Sequence, residues 1–250
     1  VNNITLCSFD LTVIDRERKG EYLGKTVQII PHIPEEIIKR VKHSAKDHDF
    51  ALIDRLVSCG DYENIPFLFA MKTLERQLGK ENIVYILVTY LLVPRHMDEM
   101  KTKPTQQAIK LLSEAAGIFP DMILCRAPYA LDEIRKKKIE TYANIPSEYI
   151  ISEPDIDTIY RVPVDLEKEN VGLKILQKCN LYPKANPNWD QWETLVNNIT
   201  QPEKTVKIAM VCKYIDSGKF TLEDSYVSIN QALIHAGANL NTKIKIDWID

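Results

Sequence analysis

Apolar residues along this chain alternate between short β-rich runs and longer stretches with helical spacing. The short runs lie at 27–30, 50–53, 83–93, 122–125 and 149–151. The stretches with helical spacing lie at 34–46, 66–78, 107–116, 131–142 and from 161 to about 179. Strands that alternate with helices of this length indicate an α/β fold, and we predict a doubly wound, mostly parallel sheet. Residues 3–14 lack a clear period, and we predict a strand or a loop there.

The pattern changes after residue 181. Residues 183–204 are rich in proline and asparagine, with a short helix expected near Trp189–Asn197, and we interpret them as an interdomain linker. A new strand, helix and strand are predicted at 206–211, 222–236 and 244–249. So few residues cannot close a doubly wound sheet. We therefore predict a first domain over 1–182 and the beginning of a second α/β domain over 205–250.

Composition limits the class of protein. The chain has 250 residues, a net charge of −3 and 45% hydrophobic residues, as in soluble globular proteins without a general attraction to nucleic acid. The longest apolar run, 83–93, contains a threonine and two tyrosines and is too short to cross a bilayer, so we expect no membrane association. Five cysteines without a CxxC pair argue against disulfides and structural zinc, and we predict a cytoplasmic protein.

The stretch Lys101-Thr102-Lys103-Pro104-Thr105-Gln106 follows the run 83–93 and precedes a predicted helix. On an extended backbone the two ammonium groups point the same way. Pro104 suits a first helical turn, and the hydroxyl and amide that follow lie near a helix N-terminus, where the dipole favours an anion. This pattern predicts a polyphosphate or carboxylate subsite. A solvated basic turn is an equally weighted alternative.

An acidic group, Asp54, Asp61 and Glu63, surrounds a predicted strand-to-helix loop. Such carboxylates can hold Mg²⁺ against nucleotide phosphates or orient a ligand hydroxyl, although they also cap turns. Ligands of open α/β sheets bind beyond the carboxyl ends of the strands. Several charged residues follow predicted strand ends and are expected to share one cleft: Asp54, Asp61, Lys101, Lys103 and Arg126. For the basic run 135–138, within a predicted helix, a mainly solvated face is favoured.

Several strings, taken together, resemble a known family. KTKPTQ at 101–106 and EYLGKTVQIIPHI at 21–33 are the most specific. Further matching strings lie at 2–5, 60–67, 125–126, 157–163, 213–214 and 224–228. In this order they resemble CTP synthase, from the later half of its amidoligase domain, a P-loop-type α/β domain, into the start of its class I glutaminase domain.

The resemblance implies a glutamine-dependent ligase. The family makes CTP from UTP, ATP and glutamine: ATP and Mg²⁺ phosphorylate the uracil O4, and ammonia then displaces the phosphate. Carried over by motif, residues 101–106 with Lys138 hold the UTP triphosphate. Asp61, Tyr62 and Glu63 contact the pyrimidine nucleotide, including CTP as feedback inhibitor. Arg126, Asp155 and Ile156 line the ATP site, and Asp54 ligates magnesium. A cytoplasmic homotetramer is also implied, and activation by GTP is left open.

The chain departs from the family pattern in ways that leave two hypotheses. The P-loop lysine and a second magnesium carboxylate are expected upstream of Asn2, and the glutaminase Cys, His and Glu are not found. The loop 56–59 carries side chains where the family has glycines, and Asp54 replaces a glutamate. The first hypothesis is a fragment or incomplete copy of a CTP synthase, inactive by itself. The alternative is a degenerate relative that binds UTP or CTP as a sensor or assembly partner.

Overall fold

A computed structural model describes residues 5–55, 58–96, 99–213 and 226–249. The chain divides into two compact units, and each is described by itself. The first unit comprises Val1–Pro154 and Leu173–Tyr182, and the second comprises Asp155–Gly172 and Pro183–Asp250. No helix in the described ranges combines the length and the apolar character needed to cross a membrane.

A parallel sheet forms the centre of the first unit. Its strands are β1 (Ile86–Tyr90), β2 (Met122–Ala127) and β3 (Ile150–Pro154), paired in the order β1-β2-β3. Helices connect the strands, as parallel pairing requires. The predicted α/β class is thus confirmed. Strand β1 is shorter than the apolar run 83–93, and its side chains alternate between buried Leu87, which packs in the core, and exposed Val88 on the opposite face.

Eight α-helices of the described chain precede strand β4 (Lys204–Val211) of the second unit. They are α1 (Leu6–Arg18), α2 (Ile29–Ala45), α3 (Ile65–Leu78), α4 (Lys103–Ala116), α5 (Glu133–Ala143), α6 (Val162–Lys168), α7 (Val171–Lys178) and α8 (Asp190–Thr200). Local chemistry sets several of their ends. Helices α3 and α4 end at Gly79 and Gly117, which have positive φ angles of 94° and 62°. Helix α5 begins at Asp132, whose side chain accepts a hydrogen bond from the Arg135 N–H at 2.8 Å.

Two hydrophobic clusters hold the first unit together. One lies between the sheet and helices α4 and α5, where Ile109 and Ile139 pack against Ile123 and Ile150. The other joins α1, α2 and α3. In that second cluster the rings of Phe9 and Phe67 meet edge to face, with centroids 5.6 Å apart.

Three of the predicted elements near the N-terminus are wrong. The described part of 3–14 lies mostly in helix α1, because Phe9 and Val13, four residues apart, bury one stripe against α2 and α3. Residues 27–30 form no strand, and Ile29 already belongs to α2. The run 50–53 is neither a strand nor buried: Leu52 is 96% exposed. Asp54 therefore does not follow a strand. β-Branched and aromatic residues specify a strand only where neighbours pack on them.

The second unit contains the predicted strand, helix and strand. Strands β4 (Lys204–Val211) and β5 (Thr242–Ile249) pair in parallel, and α9 (Val227–Asn239) connects them. The predicted start of this helix at 222 lies outside the described residues. The predicted linker contains α8, whose Asn198 Nδ2 donates to the carbonyl of Ala238 at 3.0 Å. The domain boundaries themselves stay predictions.

Tyr160 ties residues 155–172 to the rest of the second unit. Its hydroxyl donates to Gln231 Oε1 at 2.9 Å and also contacts His235 Nε2. Its carbonyl accepts a hydrogen bond from Trp192 Nε1 at 2.7 Å. The predicted single helix from 161 to 179 is instead divided into α6 and α7, with Asn170 at a positive φ of 54° between them.

Candidate functional site

The basic stretch 101–106 forms the beginning of helix α4. The helix begins at Lys103, earlier than predicted, and Pro104 lies in its first turn, where the missing N–H costs nothing. Thr102 is the N-cap and has φ −86° and ψ −9°, so the extended backbone expected for the two lysines is wrong. Lys101 lies just before the helix, while Lys103 is exposed within its first turn. The N–H groups of that turn have no acceptor in the helix itself and favour an anion.

Lys101 is held by contacts on its backbone and on its side chain. Its N–H donates to the carbonyl of Leu92 at 2.9 Å. Its ammonium nitrogen lies 2.6 Å from Glu99 Oε2, and the side chain is 34% exposed. The hydrogen bond from Lys101 lowers the pKa of the Glu99 carboxyl, and the charges of Arg135 and Lys138 lower it further. Lys101 and Arg135 therefore pair with one carboxylate, and Lys138 lies within electrostatic reach of it.

An open groove of about 810 Å³ lies between α4 and α5. Gln106 lines it from α4. The lining residues of α5 are Glu133, Ile134, Lys137, Lys138, Thr141 and Tyr142. Ile134, Lys138 and Tyr142 follow one another at four-residue spacing, which places them on one face of the helix. The structure thus brings Gln106 and Lys138, two residues predicted for the triphosphate, to the same groove.

Thr105 differs from its neighbours because it is completely buried. Its hydroxyl oxygen lies 3.0 Å from that of Thr89 in β1, so the hydroxyl joins the helix to the sheet. The buried hydroxyl thus serves the packing of α4 against the sheet, and the predicted contact of Thr105 with a triphosphate stays a prediction. Thr102 Oγ1 and Gln106 Nε2 are 3.5 Å apart, at the limit of a hydrogen bond.

Two of the acidic residues, Asp54 and Glu63, lie near Arg55. Its guanidinium carbon lies 3.7 Å from the centroid of the Phe67 ring, and its Nε donates to Asn64 Oδ1 at 3.3 Å. Burial lowers the pKa of Arg55, and the carboxylates of Glu63 and Asp54 oppose that shift. Asp54 and Glu63 therefore both lie within electrostatic reach of the same cation.

Asp61, Tyr62 and Glu63 form a loop and a short 3₁₀ turn, Tyr62–Asn64. Asp61 precedes that turn, and in the described chain its side chain makes no capping hydrogen bond. The turn-capping alternative is thus not observed for Asp61. Tyr62 is 78% exposed. The preceding Gly60 lies so close to α4 that an added Cβ would be 3.2 Å from Leu111 Cδ1, which places this loop beside the helix that carries Lys103.

The metal prediction concerns a single side chain. Within the ranges that the structure covers, no group of three or more His, Cys, Asp or Glu side chains is arranged to hold a metal ion. Asp54 is an exposed carboxylate. Mg²⁺ in nucleotide enzymes is commonly held by one or two carboxylates together with substrate phosphates and water. Asp54 fits one position in such a shell.

The residues predicted for ATP lie at the carboxyl ends of β2 and β3. Arg126 is exposed in β2, between Tyr90 of β1 and Glu153 of β3 in the ladder. Asp155 and Ile156 directly follow β3 in the chain and belong to the second unit. Asp155 is exposed and Ile156 is half-buried.

Sequence reasoning missed Glu99 and misjudged Arg135. The run 135–138 was expected to be mainly solvated, and Lys137 with a side chain 73% exposed agrees with that. The Arg135 side chain is only 19% exposed, and its Nε donates to the carbonyl of Met100 at 3.0 Å. The missed signal is helical periodicity: Arg135 lies four residues before Ile139, which is fully buried.

Comparisons with known proteins agree with the strings noted in the sequence. Residues 1–181 match the family model described as CTP synthase N-terminus. The chain is 41% identical over 248 residues to a CTP synthase of Methanocaldococcus jannaschii, which covers 99% of this chain and 45% of that protein. It is 42% identical over 249 residues to a CTP synthase of Methanococcus maripaludis, again covering 45% of that protein. It is 40% identical over 248 residues to a CTP synthase of Aquifex aeolicus. The chain spans less than half the length of these curated relatives.

Proposed function

Because the chain belongs to the CTP synthase N-terminus family, we propose that it is the nucleotide-binding part of a CTP synthase. The complete protein is then a carbon–nitrogen ligase that converts UTP to CTP with ATP and glutamine-derived ammonia, through a UTP phosphorylated at O4. In this proposal residues 1–182 belong to the amidoligase domain and 205–250 begin the glutaminase domain. A cytoplasmic homotetramer and feedback inhibition by CTP accompany it.

The observation that carries the proposal is the group of cations at the start of α4. Lys101 and Arg135 pair with Glu99, Lys138 lies within electrostatic reach of that carboxylate, and Lys138 shares a groove with Gln106. Exposed Lys103 stands in the first turn, where the helix dipole adds to the positive potential. A triphosphate carries several negative charges, and charge-assisted hydrogen bonds from such groups are about twice as strong as neutral ones. This arrangement suits the triphosphate of UTP.

The loop with Asp61, Tyr62 and Glu63 is proposed to contact the rest of the pyrimidine nucleotide. Gly60 lies beside α4, the helix that bears the proposed phosphate-binding residues. Carboxylates accept hydrogen bonds from ribose hydroxyls, and an exposed tyrosine ring offers a flat apolar surface. The same contacts would serve UTP and CTP, which fits feedback inhibition.

The ATP side of the proposal rests on Arg126, Asp155 and Ile156, with Asp54 as one ligand of Mg²⁺. When bound, Mg²⁺ would neutralise part of the charge of the ATP phosphates. Arg126 places a cation near the carboxyl end of the central strand β2. Half-buried Ile156 offers an apolar contact for a base. These assignments come from the family motif and from the position of the residues after β2 and β3.

A titration of the 250-residue chain with UTP tests the site. We expect saturable binding by calorimetry, and Lys103→Ala should weaken it roughly ten- to hundredfold, because one charge-assisted contact is worth about 1.5–3 kcal/mol. The matched control is Lys110→Ala, which removes an exposed lysine two turns further along the same helix. Equal affinity of the Lys103 variant and the unaltered chain would place the triphosphate elsewhere.

The sensor hypothesis predicts the same binding, so a second assay separates it from the enzyme. The gene encoding this chain, with whatever coding sequence flanks it, is expressed in cells that lack CTP synthase and need cytidine. Growth without cytidine supports the ligase, and we expect the 250 residues alone not to restore it. Binding of UTP without growth from the complete gene would favour the sensor.

A further inference from the structure

Arg135 lies at the start of α5, yet it reaches the segment that leads into α4. Its Nε donates to the carbonyl of Met100, and its Nη2 lies 3.7 Å from Glu99 Oε1. Its Nη1 contacts Asp132, the residue that caps α5. We propose that Arg135 is a positioning residue, which fixes the segment 99–101 so that Lys101 is directed toward the phosphate groups of the nucleotide. This inference rests on the proposed function.

The backbone of this segment is fixed from three directions. The Met100 side chain is 3% exposed and packs in the cluster between the sheet and its helices. The Met100 carbonyl accepts from Arg135, and the next N–H, that of Lys101, donates to Leu92. Because Arg135 supplies the only one of these contacts that comes from a charged side chain, its loss frees the carbonyl without disturbing the core. Arg135 then no longer holds the Lys101 side chain in its direction.

Glu99 links Arg135 to the lysine directly. Its two carboxylate oxygens face the Lys101 ammonium at 2.6 Å and the Arg135 guanidinium at 3.7 Å. A long lysine side chain has several rotamers, and ordering it costs up to about 2 kcal/mol of conformational entropy. Since Glu99 orders the ammonium before a ligand arrives, part of that cost does not fall on binding. Arg135 keeps Glu99 in place for this task.

The donor geometry of the guanidinium explains why an arginine suits this position. A guanidinium has donors on one rigid fork and can bind the carbonyl and the carboxylates at the same time, whereas an ammonium is a point charge. Arg135→Lys therefore keeps the charge but loses the fork. If Arg135 acted only through its charge, this variant would bind UTP like the unaltered chain. Under the positioning role it behaves like Arg135→Met.

A double-mutant cycle on UTP binding tests the inference in the 250-residue chain. We expect Arg135→Met to raise the UTP dissociation constant about tenfold when Lys101 is present, and to change it less than about twofold in the Lys101→Met background. Arg135→Lys should raise it nearly as much as Arg135→Met. Lys110→Met controls for the loss of one positive charge. Far-UV circular dichroism and thermal unfolding verify that each variant is folded.

Hydrogen exchange gives a readout that needs no nucleotide. We expect the Lys101 N–H to exchange faster in Arg135→Met than in the unaltered chain, while the amides of β2 exchange as before. Unchanged exchange at Lys101 overturns the inference. So does an equal loss of UTP affinity in both Lys101 backgrounds, because Arg135 would then be a direct ligand. Absence of UTP binding by the unaltered chain overturns the proposed function, and this inference with it.

Discussion

The hydrogen bond between Thr89 and Thr105 predicts that removing one hydroxyl destabilises the protein more than removing the other. Thr105 is completely buried in α4, whereas Thr89 in β1 is half-buried, and their hydroxyl oxygens are 3.0 Å apart. Replacing either residue by valine keeps the shape and removes one hydroxyl. The remaining hydroxyl then loses its partner, and the cost depends on whether water can reach it.

Thr105→Val leaves the hydroxyl of half-buried Thr89, which can turn to solvent. We expect a loss of about 1 kcal/mol in the free energy of unfolding, the usual net value of a hydrogen bond. Thr89→Val leaves the fully buried hydroxyl of Thr105, and we expect a loss of about 2–3 kcal/mol. The double valine variant removes both polar groups, so its loss should be smaller than the sum of the two single losses.

Far-UV circular dichroism in urea is the suitable assay. Tryptophan fluorescence does not report on this bond, because Trp189, Trp192 and Trp248 all lie in the second unit. We expect the thermal midpoint of Thr105→Val to fall by about 2–4 °C. A Thr105→Val variant less stable than Thr89→Val would refute the reasoning. Strict additivity in the double variant would also refute it, since the two hydroxyls would then not be partners.

Two further predictions concern the buried charges and thiols of the first unit. Glu36 is 4% exposed and accepts a hydrogen bond from Arg40 Nε at 3.1 Å. Glu36→Gln should lower the free energy of unfolding in urea by about 1–3 kcal/mol, less than for a fully buried pair because the arginine is partly solvated. A stability equal to that of the unaltered chain would contradict this. Burial raises the pKa of Cys125 from 9.0 to about 12, so the folded state keeps a proton that the unfolded state loses. Unfolding free energy should therefore fall as the pH rises between these values, and fall less in Cys125→Ala; identical pH profiles would show that this thiol does not contribute.

The elements that the sequence predicts correctly are those whose local sequence pattern agrees with the packing around them. Helix α3 begins beside Pro66 and ends at Gly79, as expected, because both residues act locally on the backbone. Strand β2 was recognised because both of its faces are covered, which gives a continuous apolar run. The run 50–53 is also continuously apolar but has no strand partner among the described residues, so its apolar content alone does not make it a strand.

In the candidate site, too, local chemistry is visible in the sequence, whereas contacts between distant residues are not. The sequence predicts the lysines and the glutamine of 101–106 as binding residues because their chemistry is visible in it. The role of Arg135 was missed because a contact between α5 and the Met100 carbonyl joins residues 35 positions apart in the chain. A run of basic residues suggests a solvent-exposed helix face. Only the four-residue spacing to buried Ile139 distinguishes the partly buried Arg135 from the exposed Lys137.

Helix geometry explains why a threonine belongs inside this basic motif. Successive residues are turned by about 100° around an α-helix, so Lys103 and Thr105 point about 200° apart. Because Thr105 is buried against Thr89, Lys103 has to face solvent. Gln106 comes back to within about 60° of Lys103, on the side of the groove that it lines. The buried face of α4, formed by Thr105, Ile109 and Leu112, thus sets the rotation of the helix and leaves Lys103 and Gln106 about 60° apart on its other side.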